Sequence, residues 1–327
     1  MLDLSMPMMD DLLPRAVQAL RAQIPAGEDV PVSVFIDPTL GDSVCEDPVI
    51  AAAVHDGRLL KGRVHIAHDD IVPDAQPYLL HAPSEGKAEQ AIQRTLELAL
   101  SEATSATSPA AATRVFCAWI VGEQDPALHA KRLAQAALVR KPDGRLRPLR
   151  YWDPRVMWHL PRAMGRDRWA EFCPALGHWL SLDMSHQLAS LAPCELAGMA
   201  SRLRADKCAG VTTETSLAQW DGLSRIGAIN MALAQSPTWG LAPTPGLALT
   251  IDALLQACHQ LGFSTSRDEQ VFVACGMTSH LQFFEHPAVR QALQRAAATD
   301  QGVMGALGQF DDHFWQQLAQ RGPLATA

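Results

Sequence analysis

The sequence predicts an α+β chain: a mixed α/β N-terminal lobe, with a small sheet flanked by helices, followed by an all-α C-terminal lobe. Three observations carry this. Strand-like apolar runs at residues 30–36, 77–81 and 115–121 all fall within the first 185 residues. Segments with helical spacing of apolar residues alternate with those runs. Beyond about residue 185 the strand signals fade and helical spacing alone continues, which sets the lobes at 1–185 and 186–327.

The elements follow in order. A helical segment over residues 12–23 precedes the alternating run 30–36, where Pro31 implies a sheet edge or a strand start and Asp37-Pro38 ends the strand. Residues 77–81 form a second short strand. Residues 87–102 place Ile92, Leu96 and Ala99 on one helical face, with Ser84 positioned as N-cap. Residues 101–113, rich in Ser, Thr and Ala around Pro109, read as a loop. The continuous apolar run 115–121 is that of a strand buried on both faces. Asp125-Pro126 opens a helix reaching residue 137, since Pro at the first helical position sacrifices no hydrogen bond.

Residues 138–140 and 146–150 flank Pro142-Asp143-Gly144, which supplies the preset φ and the positive-φ residue of a tight hairpin turn. Asp153-Pro154 begins a short helix through residue 160. Trp169, Phe172, Cys173, Leu176, Trp179 and Leu180 recur at helical spacing and predict one amphipathic helix over 169–180. In the second lobe, residues 217–234, 251–261 with Thr250 as N-cap, 268–284, 287–298 and 311–320 are helical, and 236–246 is a Pro/Gly loop.

The chain has 327 residues, 48% of them hydrophobic and 19% charged, which excludes a mainly disordered protein. No run reaches the ~18 apolar residues of a membrane-spanning helix. Residues 1–15 are acidic and broken by Pro7 and Pro14, where a secretory signal has a basic start and an apolar run. These features predict a cytoplasmic protein with no membrane partner. The seven cysteines are scattered, odd in number and without a close pair, as expected of reduced, mostly buried thiols.

The net charge of −8 hides an asymmetry. Residues 131–168 hold 11 Lys and Arg against 3 Asp, whereas residues 1–86 hold 14 Asp and Glu against 5 Lys and Arg. The basic block mixes cations with Tyr151, Trp152 and Trp158, a combination that can bind single-stranded nucleic acid. Its charges fall on both sides of a hairpin turn, however, and its aromatics suit a core. Pairing with the acidic stretch, or with a protein partner, explains the asymmetry better than nucleic acid.

Linear catalytic signatures are missing. There is no nucleophile elbow, no P-loop and no dinucleotide-binding glycine motif. Gly302, Gly305 and Gly308 follow no strand and read as an interhelical loop. His65, His68, Asp69 and Asp70 offer imidazoles and carboxylates close enough to hold a divalent cation, but no third His or Cys stands at a characteristic spacing, and the segment reads better as a polar loop ahead of Ile71-Val72-Pro73. Cys258-His259 are neighbours that point about 100° apart on a helix. No cofactor is implied.

Three pieces in order carry a family resemblance. They are Leu138-Val139-Arg140-Lys141-Pro142-Asp143-Gly144-Arg145, then Leu149-Arg150-Tyr151-Trp152-Asp153-Pro154-Arg155-Val156, then Trp169, Phe172-Cys173-Pro174 and His178-Trp179. Over about residues 30–185 the chain resembles the "domain of unknown function 4123" family, adaptor chaperones of bacterial type VI secretion. Trp152 stands where that family usually has Tyr, and Cys173-Pro174 replaces Gly-Pro. The resemblance implies a non-enzymatic adaptor that binds one toxic effector and promotes its loading onto the VgrG spike, with the helical lobe selecting cargo. Arg150, Tyr151, Trp152, Asp153, Pro154 and Arg155 are then either motif scaffold or partner contacts. The local cause of an Asp-Pro helix start favours scaffold. The competing reading is a metal-dependent hydrolase or transferase using His65, His68, Asp69 and Asp70.

Overall fold

The computed structural model describes residues 9–25, 28–41, 44–105, 114–191, 213–299 and 301–320. Cys194, Cys208, residues 106–113 of the expected loop and the first eight residues lie outside them. The chain divides into two compact units, Met1–Ser224 and Arg225–Ala327. The boundary expected near residue 185 falls inside the first unit, because two later short strands pair back into it.

In the first unit, α1 (Met9–Arg21), β1 (Val32–Ile36), α2 (Pro48–His55), β2 (Leu60–Arg63), β3 (Tyr78–Ala82), α3 (Glu85–Thr104), β4 (Phe116–Val121) and α4 (Pro126–Ala136) come first. The hairpin β5 (Leu138–Arg140) and β6 (Leu146–Pro148) follows, then α5 (Pro154–Met157), α6 (Leu160–Met164), α7 (Arg166–Leu176), β7 (His178–Leu182), β8 (Leu188–Ser190) and β9 (Thr213–Glu214). An antiparallel six-stranded sheet has the order β2-β3-β1-β4-β7-β8, and a small sheet has the order β6-β5-β9 with β9 parallel to β5.

β1 is therefore an inner strand, fully buried, and Pro31 marks its start rather than a sheet edge. The carbonyl of Pro31 still accepts from Gly122 N at 2.8 Å. Side chains alternate across the sheet. One face carries Val32, Val34, Ile36, Leu80, Trp119 and Leu180 against α1 and α3, and these form the main core. Each fully buried aliphatic there contributes roughly 1.5–3 kcal/mol. Trp119 Nε1 donates to Thr95 Oγ1 at 2.9 Å, so the largest core side chain buries no unsatisfied donor. The N-caps work as the sequence predicts: Ser84 accepts from Lys87 N, and Asp125 from Ala127 N and Leu128 N.

One expected helix is two elements. α7 stops at Leu176, Gly177 adopts φ 71°, and His178–Leu182 is a strand paired with β4. Trp179 and Leu180 continue a helical period, but a buried strand is apolar on both faces and satisfies the same spacing.

The second unit is helical: α8 (Leu217–Gln235) enters it, followed by α9 (Pro245–Gln260), α10 (Ser266–Thr278), α11 (Pro287–Thr299), α12 (Gly302–Leu307) and α13 (Asp312–Gln320). Thr244, not Thr250, caps α9, accepting from Leu247 N at 3.1 Å, and Pro245 takes the first helical position. Thr250 lies inside the helix with its hydroxyl on Gly246 O. The glycine run from Gly302 is a short helix rather than a loop, because Asp268 Oδ1 accepts from Val303 N at 2.7 Å and holds its first turn. No helix among the described residues is long and apolar enough to cross a membrane.

Candidate functional site

The motif of residues 150–155 is built onto the end of β1. Asp37 stops that strand with a side chain only 2% exposed. Its Oδ1 accepts from Thr39 N at 2.9 Å and Thr39 Oγ1 at 2.6 Å, and its Oδ2 accepts from Arg150 Nη2 and Trp152 Nε1, both at 2.6 Å. A buried carboxylate is tolerated when its lone pairs are met by charged and neutral donors in this way. Arg150 is also bonded to Thr39 Oγ1 at 2.9 Å and keeps 43% of its side chain exposed.

Behind that carboxylate lies an aromatic box on the second face of the sheet. Phe35 stacks on Trp152 at 5.9 Å, and Tyr151 meets Trp152, Phe172 and Trp179 at 5.4, 5.4 and 5.8 Å. Tyr151 donates its hydroxyl to Leu133 O at 3.0 Å, tying the motif to α4. Burial pushes its phenol well above the usual range. Asp153 caps α5, accepting from Arg155 N at 2.9 Å, and also grips the Arg155 guanidinium at 2.9 and 2.6 Å. That hydrogen bond, against the opposing effect of burial, raises the Arg155 pKa. Of the six motif residues, Tyr151, Trp152, Asp153 and Pro154 are buried. Their burial leaves Arg150 as the motif residue with a large exposed fraction. Enclosed Tyr151 and Trp152 offer no face for base stacking.

Among the described residues the expected pairing of the basic block with the acidic stretch is seen for Arg150 with Asp37 and for Arg147 with Asp70 at 3.0 Å. Other ion pairs of the block are local, such as Lys141 with Asp143 and Arg168 with Glu171.

The segment holding His65, His68, Asp69 and Asp70 does not converge. His68 Nε2 donates to Leu146 O at 3.2 Å while Nδ1 accepts from Asp70 N at 3.1 Å. Both ring nitrogens are engaged, so His68 ties this loop to the hairpin, and Asp70 reinforces the tie through Arg147. His65 and Asp69 are exposed. Among the described residues no three His, Cys, Asp or Glu side chains come together as a metal site. Burial raises the thiols of Cys173 and Cys258 to about 12 and of Cys275 to about 11, away from nucleophilic thiolates. His186 is buried at φ 60°, and His178 begins β7; burial lowers the pKa of both.

A groove of about 610 Å³ with no linear sequence signature lies on the second sheet face, between the β2–β3 end and α4. Leu60, Gly62, Leu79 and His81 floor it, since Leu60 opposes His81 and Gly62 opposes Leu79 in register. Ala127, Ala130 and Ala134 of α4 make one wall, and Arg63 and Lys131 stand on its rim. The signal available was the small-residue spacing of α4, which has no meaning until β2 is placed opposite it.

A protein-family model described as "Domain of unknown function (DUF4123)" matches residues 65–171. That span contains β3, α3, β4, α4, the hairpin, the 150–155 motif and the first half of α7. No curated protein and no solved structure matches the chain.

Proposed function

We propose that this protein is a non-enzymatic adaptor chaperone of bacterial type VI secretion, acting in the cytoplasm, that binds a toxic effector and promotes its loading onto the VgrG spike. The observation that carries this reading is the DUF4123 match over residues 65–171, on a stretch whose ordered motifs resemble the adaptor chaperones. The geometry fits a protein that presents surfaces. The motif's polar groups are engaged in internal bonds, Asp37 with four donors and Asp153 with Arg155. The competing metal-dependent hydrolase reading asks His68 to coordinate with nitrogens that are already bonded.

The reading predicts a toxin gene beside this one, and the test is co-expression of the tagged full-length protein with that neighbour's product, followed by affinity capture. Retention of the toxin at near-equal stoichiometry through a high-salt wash is the expected result. Failure to retain any neighbour-encoded toxin or spike protein would overturn the reading.

A further inference from the structure

We infer that the groove between the β2–β3 end of the sheet and α4 seats a short segment of the cargo that carries carboxylates among apolar side chains. This rests on the adaptor reading and names the site and chemistry of cargo contact.

Four features of the groove point the same way. Its walls are apolar, and alanines on α4 leave room beside the sheet. A Cβ added at Gly62 would meet nothing within 4 Å, so the floor is open to another chain. His81 is 4% exposed and lines the floor, with Nδ1 turned to Ser33 Oγ at 2.9 Å on β1. Its Nε2 has no hydrogen-bond partner among the described residues. In the tautomer whose Nδ1 accepts from the Ser33 hydroxyl, the Nε2–H is a donor for a carboxylate or main-chain carbonyl. Finally, Arg63 and Lys131 are exposed rim cations with no carboxylate at ion-pair distance among the described residues. The chain carries a net charge of −8, and Arg132, Arg147, Arg150, Arg155 and Arg168 of the basic block each have a carboxylate partner. Two unneutralised cations beside an apolar trough complement an acidic amphipathic segment, and they steer its approach.

The test uses the full-length protein, the neighbour-encoded toxin and overlapping peptides covering that toxin. Gly62→Ile should fill the floor without strain, because its backbone is that of an ordinary strand and isoleucine suits strands. It should weaken toxin retention by more than about tenfold at unchanged Tm. Ala127→Trp, at an exposed wall position, gives the same blockade should Gly62→Ile fail to fold. Arg63→Glu with Lys131→Glu should lower affinity by about tenfold and flatten its salt dependence. The peptides captured by the unaltered protein should be net acidic. Toxin retained equally by all these variants would overturn the groove assignment and leave the adaptor reading standing. Toxin never retained by the unaltered protein would overturn both. Retention of a single-stranded oligonucleotide that the same variants abolish would overturn the peptide assignment in favour of phosphate recognition.

Discussion

Asp37→Asn keeps the shape of the side chain and removes its charge and half of its accepting capacity. Asparagine can still accept from Thr39 through one oxygen, but its amide nitrogen cannot accept from Trp152 Nε1 and Arg150 Nη2, each now 2.6 Å from the carboxylate. Trp152 is 2% exposed, so its indole N–H is left buried without an acceptor, at about 1–3 kcal/mol. Arg150 is 43% exposed and regains water, so its share stays well below the 3–5 kcal/mol typical of breaking a fully buried pair, at about 1 kcal/mol. The expected loss is thus ~2–4 kcal/mol. Urea unfolding followed by tryptophan fluorescence and far-UV circular dichroism measures it. Arg150→Met should cost less, ~1–2 kcal/mol, because Asp37 keeps three donors. The double variant should cost less than the sum of the two, since both remove one shared contact. A loss below about 0.5 kcal/mol for Asp37→Asn, with an unchanged m-value, would refute the claim that this carboxylate anchors the motif.

Asp153→Ala removes a helix cap and the bidentate partner of Arg155, and is expected to cost ~2–3 kcal/mol in the same assay. Unchanged stability with loss of toxin binding would show that Asp153 serves a partner instead. Glu102 is held by Val115 N at 3.0 Å, and burial raises its carboxyl to about 7 from the ordinary 4.5. A raised carboxyl binds its proton more tightly when folded, so its contribution is full below about pH 4.5 and lost as pH rises towards 7. His129, lowered by burial to about 4, acts in the opposite direction, its contribution being lost as pH falls from 6.5 towards 4. The difference between Glu102→Gln and the unaltered protein isolates the carboxyl: the variant should gain up to ~2–3 kcal/mol relative to it between pH 5 and pH 7.5. Parallel stability profiles across that window would contradict the assignment.

The strands at 32–36, 78–82 and 116–121 were legible because short apolar runs bounded by Asp-Pro, Pro and Gly signals have few alternatives. His178–Leu182 was not, since Trp179 and Leu180 fit a helical face and a buried strand alike. Gly177 was the one local sign of the break. The N-caps at Ser84, Asp125 and Asp153 follow from local chemistry and needed no tertiary information. Thr244 was hidden because Pro245-Gly246 looks like a loop until Pro is recognised as a first-turn residue. For the site, charge asymmetry foretold that the basic block would meet the acidic stretch. It could not say that Arg150 would meet Asp37, 113 positions away. That choice depends on β1 and the 150–155 motif reaching the same end of the sheet. The groove depends on β2 being the terminal strand, and strand order is not written in any local pattern.

The proposed role is delivery of a toxin to a spike. Spike complexes isolated from cells with and without the gene, probed for the neighbour-encoded toxin, test it most directly. Spike-bound toxin is expected in the presence of the protein and is lost in its absence, with the toxin's own activity unaltered and loading restored by the unaltered gene. Equal amounts of toxin on the spike in both strains would contradict it.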